Sequence, residues 1–96
     1  MIEVAGIVLD PTNHIVTHHG EDMRLSSREF SVLQVLMENA GRFVTKARLE
    51  EQLYGWDAAA ESNTVEVYIS RLRKKFGADT FKTLRGVGYM MEEGAA

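Results

Sequence analysis

The chain has no cysteine. That excludes a disulfide framework, a thiolate metal site and a thiol nucleophile, and it accords with a reducing cytosol. Proline occurs once, as Pro11, and tryptophan once, as Trp56. No apolar run approaches the roughly 18 residues of a membrane span, and Met1-Ile-Glu-Val4 has neither the basic segment nor the apolar block of a signal peptide. The expectation is a soluble, cytoplasmic protein with no membrane partner. A positive net charge is also lacking, since 11 Lys and Arg against 14 Asp and Glu leave −3 at pH 7. Taken alone, that balance argues against a nucleic-acid binder. What is present is 96 residues, 45% of them apolar. This is enough for one modest core and a single domain, 1–96, without room for a second.

The charge is unevenly spread. Residues 1–61 hold five basic and ten acidic side chains, whereas residues 62–86 hold Arg71, Arg73, Lys74, Lys75, Lys82 and Arg85 against only Glu66 and Asp79. A local cationic footprint on an acidic body fits a phosphate-binding face. It fits an ordinary solvated helix face as well.

Along the chain, Ile7-Val-Leu9, Ile15-Val-Thr17 and their neighbours are β-favouring runs broken by Asp10-Pro-Thr-Asn13 and Gly20-Glu-Asp22, which implies an antiparallel meander over Ile2–Met23. His14, His18 and His19 lie in it. Adjacent strand residues point to opposite faces and no partner stands at metal-ligand spacing, so these histidines are read as structural or exposed, and no metal or other cofactor is expected. Ser26 and Glu29 have capping-box spacing, with Leu25 and Phe30 as the staple. Phe30, Leu33, Leu36, Met37 and Ala40 then recur at helical spacing up to Gly41, placed to end the helix in a left-handed turn. Thr45 caps a second, shorter helix, with Val44 and Leu49 as staple and Leu49, Leu53 and Tyr54 inward. Trp56 and Asp57 lie in the following loop, where the tryptophan either roofs the core or anchors a protein contact.

A third helix over 63–76 has two unlike faces. Val65, Ile69, Leu72 and Phe76 fall within roughly a 60° arc and belong in a core. Asn63, Thr64, Val67, Ser70, Arg71 and Lys74 share the opposite arc of roughly 120°. Val67 is the odd member, apolar on a face that would otherwise be merely solvated, and a thymine methyl suits it. Glu66 could accept from a cytosine amino group or close a capping box with Asn63. Gly77 ends the helix. Two β-favouring runs then flank Arg85-Gly-Val-Gly88, a hairpin over 80–92 with a cation at its tip. Its bare GxG is too short for a dinucleotide or phosphate loop. A major groove about 12 Å wide admits one helix and a narrow minor groove attracts an inserted arginine. The second and third helices would form a helix-turn-helix with an enlarged turn, and the hairpin its wing.

Three function classes follow: duplex DNA reader, winged-helix protein-interaction module, and enzyme. The last has no nucleophile, base and orienting group at recognisable spacing among Ser26, Ser27 and the histidines, so no catalysis is expected.

The chain also resembles the C-terminal effector domain of OmpR/PhoB-type response regulators from Ile2 to about Met91. The match lies in Gly6 with Leu9-Asp10, in Leu25-Ser26-x-x-Glu29-Phe30-x-x-Leu33, in Asn63-Thr-Val-Glu-Val67 with Arg71-Leu-Arg-Lys74, and in Thr83-Leu-Arg-Gly-Val-Gly-Tyr89. The resemblance implies an α+β winged helix-turn-helix with an N-terminal four-stranded antiparallel sheet, a three-helix core and a C-terminal β-hairpin wing. It implies transcription regulation in a two-component system, binding to directly repeated DNA half-sites as head-to-tail dimers, a monomer or weak dimer off DNA, and contact of the 56–62 loop with RNA polymerase. By position, Thr64, Val67 and Arg71 would approach base edges, Arg73 and Lys74 phosphates, and Arg85 the minor groove, with Thr83 and Tyr89 on the adjoining backbone. Tyr68 and Ser70 replace the histidine or arginine common in the family, which implies looser binding or a different set of contacts. The family's receiver domain has no counterpart here, and the expectation is an excised effector domain.

Overall fold

The computed structural model describes residues 1–54 and 64–93. Four short strands open the chain: β1 (Ile2–Val4), β2 (Ile7–Asp10), β3 (Ile15–His18) and β4 (Glu21–Met23). They form one antiparallel sheet in chain order, with Ile2 opposite Leu9, Leu9 opposite Val16 and Val16 opposite Met23. Because side chains alternate across a strand, that register puts one apolar row on the inner face. Ile7, Leu9 and Val16 are accordingly buried.

The first helix, α1 (Ser27–Glu38), starts as its capping box requires. Ser26 accepts from the Glu29 amide at 3.2 Å, and Glu29 Oε1 accepts from the Ser26 amide at 2.9 Å. Phe30, Leu33, Leu36 and Met37 are buried as their spacing predicts, while Ala40 lies beyond the helix and is half-buried. The helix ends at Glu38, and the left-handed residue is Gly41 (φ +84°), whose amide donates to Met91 O at 3.0 Å. Next come β5 (Val44–Thr45) and α2 (Lys46–Tyr54). Thr45 Oγ1 accepts from the Arg48 amide at 3.2 Å, the capping role expected of it.

Helix α3 (Thr64–Phe76) buries Val65, Ile69, Leu72 and Phe76. Each such burial contributes about 1.5–3 kcal/mol relative to exposure, and together they fix which face is left outward. A 3-10 turn (Ala78–Thr80) leads to β6 (Phe81–Leu84) and β7 (Gly88–Met91). Helix α1 packs on α2 and α3 and on strands β1 and β7, so one core joins both ends of the chain.

Two features differ from the sequence reading. The hairpin is part of a three-stranded sheet, order β5-β7-β6, since Val44 pairs with Tyr89 and Thr45 with Gly88. Two residues are too few to give a period-2 signal, so β5 was hidden inside the helix-capping motif. The rings of His18 and His19, expected on opposite faces, stand 4.2 Å apart. His19 is in the β3–β4 turn at φ +51°, and the strand alternation does not reach it. His14 stacks on Phe30 at 3.8 Å and His18 meets the Phe76 ring edge-on at 5.2 Å.

Candidate nucleic-acid interface

Trp56, Asp57 and Asn63, with the side chain of Thr64, lie outside the described residues. The remaining candidates sort by their position around α3. Val67 is 39% exposed, and Ser70, Arg71 and Lys74 are exposed with it, forming the outward face opposite the core stripe. Arg71 has its guanidinium carbon 5.3 Å from the centroid of the Tyr68 ring, a distance at which cation–π attraction restrains the arginine. Tyr68 itself is partly buried against the core. Lys74 makes no hydrogen bond or ion pair among the described residues, and the same holds for Arg85 at the wing tip.

The other three cations of this segment are engaged internally. Lys75 Nζ reaches across to Glu29 Oε1 at 2.9 Å and to Arg24 O at 2.8 Å. Lys82 pairs with Glu92 at 2.6 Å, a bond that raises the lysine pKa. Arg73 donates through Nε and Nη2 to Phe81 O at 3.3 and 3.0 Å, and through Nη2 to Thr83 Oγ1 at 2.7 Å. The free cationic face is therefore narrower than the six charges of the sequence suggest. It consists of Arg71, Lys74 and Arg85.

Glu66, for which a cytosine amino group and a capping box with Asn63 stood open, meets two side chains among the described residues. Its Oε1 pairs with Lys46 at 2.8 Å and accepts from Tyr89 Oη at 3.4 Å. Tyr89 is only 7% exposed, and burial, then the nearby Glu66 carboxylate, raise its pKa. The hydrogen bond that Lys46 donates to Glu66 raises the lysine pKa in turn. Lys46 was not legible as a site residue. It stands 20 positions before Glu66 in the sequence, and only the docking of α2 against α3 brings them together. These residues, with Arg85 and Val87 of the wing, line a cleft of about 370 Å³ between α3 and the wing.

The two wing glycines have different reasons. Gly86 takes φ +77° in the turn closed by the Val87 amide on Leu84 O, a conformation that glycine adopts without a steric penalty. Gly88 lies against the β5 backbone, where a Cβ would overlap Val44 O and stand 2.9 Å from Thr45 Cα.

Residues 20–91 match the family described as "Transcriptional regulatory protein, C terminal". The chain belongs to this family. It is similar to the response regulator protein PmrA of Pseudomonas aeruginosa, 41% identical over 87 residues that are 91% of this chain and 39% of that protein. It is similar also to the transcriptional regulatory protein QseB of Escherichia coli O157:H7, 44% identical over 87 residues, 91% of this chain and 40% of QseB. The chain thus spans about two fifths of the length of these relatives. Among solved structures, the Klebsiella pneumoniae RstA DNA-binding domain in complex with RstA box aligns with a TM-score of 0.81 and 33% identity, over 96% of each chain. The fold is the OmpR/PhoB-type winged helix, and as a family member the chain is a DNA-binding output domain for transcription regulation. No described helix is long and apolar enough to cross a membrane.

Proposed function

We propose that the domain reads duplex DNA in two grooves at once. Helix α3 lies in the major groove, with Thr64, Val67 and Arg71 nearest base edges and Lys74 on phosphate, while Arg85 enters the minor groove. Asn63 and Ser70 border the major-groove contacts. The observation that favours this reading is Val67, 39% exposed in the middle of a face otherwise polar or cationic. An apolar side chain held there gains nothing from water, and it suits a thymine methyl. Arg71 beside it, restrained over Tyr68, suits the two acceptors of guanine.

In the whole protein the domain answers to a receiver, acts in the cytoplasm, and occupies directly repeated half-sites as a head-to-tail dimer. RNA polymerase contact through residues 56–62 belongs to the same proposal. Linking two modules raises their joint affinity without new contacts, so the lone domain binds more weakly than the dimer.

Selection of bound duplexes from a random pool tests the reading. A recovered motif, directly repeated in long inserts, is the expected result. A pool that converges on no motif, or retention that ignores salt, would sink it.

A further inference from the structure

The two ends of the helix–wing junction form a single device. Glu66 and Arg73 are seven residues apart, two helical turns, and so return to within about 20° of each other on α3, roughly a quarter turn away from the core stripe. Both point toward the wing. Arg73 holds Thr83 Oγ1 and Phe81 O on β6, and Glu66 accepts from Tyr89 Oη on β7. Thr83 and Tyr89 are themselves directly opposite in the β6–β7 register. One flank of the recognition helix therefore grips both members of one cross-strand pair, one strand from each end. Both sets are charge-assisted, and the Arg73 bonds are the firmer because there are three of them, one at 2.7 Å, against a single 3.4 Å bond from Tyr89 Oη.

Arg85 sits two residues beyond Thr83 on the same hairpin. The rotation of the wing about its base decides where that arginine stands relative to Val67 and Arg71. A shift of about 1 Å at a supporting residue is enough to misplace a group that it orients.

We propose that Arg73 is a positioning residue, with Glu66 as its counterpart at the other end. Together they fix the wing to α3, so that occupancy of the minor groove by Arg85 is coupled to base reading by α3. Arg73 then contributes to binding through Thr83 and Phe81 rather than as a phosphate ligand. The inference rests on the two-groove reading above.

The test uses this chain and a duplex selected from a random pool by the wild-type domain, prepared with either an A-tract or a G·C-rich segment where the wing falls. Affinity is measured at several salt concentrations for wild type, Arg73→Met, Thr83→Val, Lys74→Ala, Arg85→Ala and the Arg73→Met/Arg85→Ala double variant. Wild type should prefer the A-tract, whose narrow minor groove attracts an inserted arginine. Arg73→Met should lose that preference while keeping the major-groove base preference, with a salt slope no lower than that of Arg85→Ala, and the double variant should bind no worse than Arg85→Ala. Thr83→Val, which removes only the hydroxyl acceptor, should lose part of the preference and serves if Arg73→Met folds poorly.

A slope lowered by about 1 in Arg73→Met, as a phosphate contact would give, with the A-tract preference intact, would overturn the proposal. So would additive losses in the double variant. Indifference of wild type and Arg85→Ala to the flank would instead sink the minor-groove reading, and the coupling with it.

Discussion

Gly88 lies so close beneath Val44 that any side chain there would collide with the β5 backbone. The Val44 carbonyl oxygen occupies the space of a Cβ, and the Thr45 Cα stands 2.9 Å from it. Both neighbours are main chain, held by the pairing of Val44 with Tyr89 and of Thr45 with Gly88. A clash with backbone cannot be relieved by a rotamer change. The two-residue strand β5 is what makes this glycine necessary.

Gly88→Ala should therefore separate β5 from β7 and lower stability by about 1–3 kcal/mol, the usual cost of forcing atoms into a packed region. Urea unfolding measures it. An unchanged midpoint would mean that the two strands are not in contact in solution.

Lys75 and Glu29 give a second expectation. Glu29 is buried, whereas Lys75 keeps 35% of its side-chain exposure. Lys75→Met should cost about 2 kcal/mol, below the roughly 3–5 of a fully buried pair because the lysine is partly solvated. Since Lys75 is turned away from the outward face, the salt slope of DNA binding should not move. For the carboxyl of Glu29, burial acts upward but the Ser26 amide and Lys75 outweigh it, and its pKa falls below the ordinary 4.5. A group lowered on folding contributes stability that is present above its unfolded pKa and lost on acidification through the folded one. Wild type should thus resist acid to below pH 4.5, and Lys75→Met should lose stability at higher pH than wild type does.

His18 titrates in a different window. Burial, then the neighbouring charge of His19, lower its pKa beneath 6.5, with Glu21 acting weakly the other way. The unfolded chain then takes up the proton first, so stability falls as pH drops from above 6.5 through the folded value. Urea midpoints at about pH 7.5 and about pH 5 should differ in wild type and differ less in His18→Gln. Equal differences in the two proteins would assign the effect elsewhere.

For the outward face, Arg71→Ala should cost about 1–3 kcal/mol and relax base preference at one position of the selected site, whereas Lys74→Ala should weaken all sequences alike and lower the salt slope by about 1. Titration of labelled duplexes at several salt concentrations separates them. Identical profiles for the two variants would remove the distinction between reader and phosphate contact.

Local grammar and periodicity made most of the fold legible. The capping box at Ser26 and Glu29, the stripe Val65, Ile69, Leu72 and Phe76, and the turn residues of the meander each act within a few positions. Their consequences hold in the three-dimensional structure. Partner choice was less legible. Arg73 and Lys74 are adjacent in sequence and alike in charge, yet Arg73 bonds the wing while Lys74 makes no bond among the described residues. The helical period sets Arg73 about a quarter turn from the core stripe and Lys74 opposite it, but that Arg73 meets acceptors there depends on where β6 docks, and no local pattern encodes that.

By itself, then, the sequence determined the order of meander, three helices and hairpin, the buried face of each described helix and the exposed position of Val67, because side-chain direction in a helix or strand follows from its period. The tertiary structure decided which charges remain outward. Lys75 found Glu29 46 positions away and Glu66 found Lys46 and Tyr89, while Arg73 and Lys82 found acceptors in the hairpin that follows α3. The physical reason is that an ion pair or hydrogen bond needs its partner within about 3–4 Å. Only packing sets such distances between residues far apart in sequence.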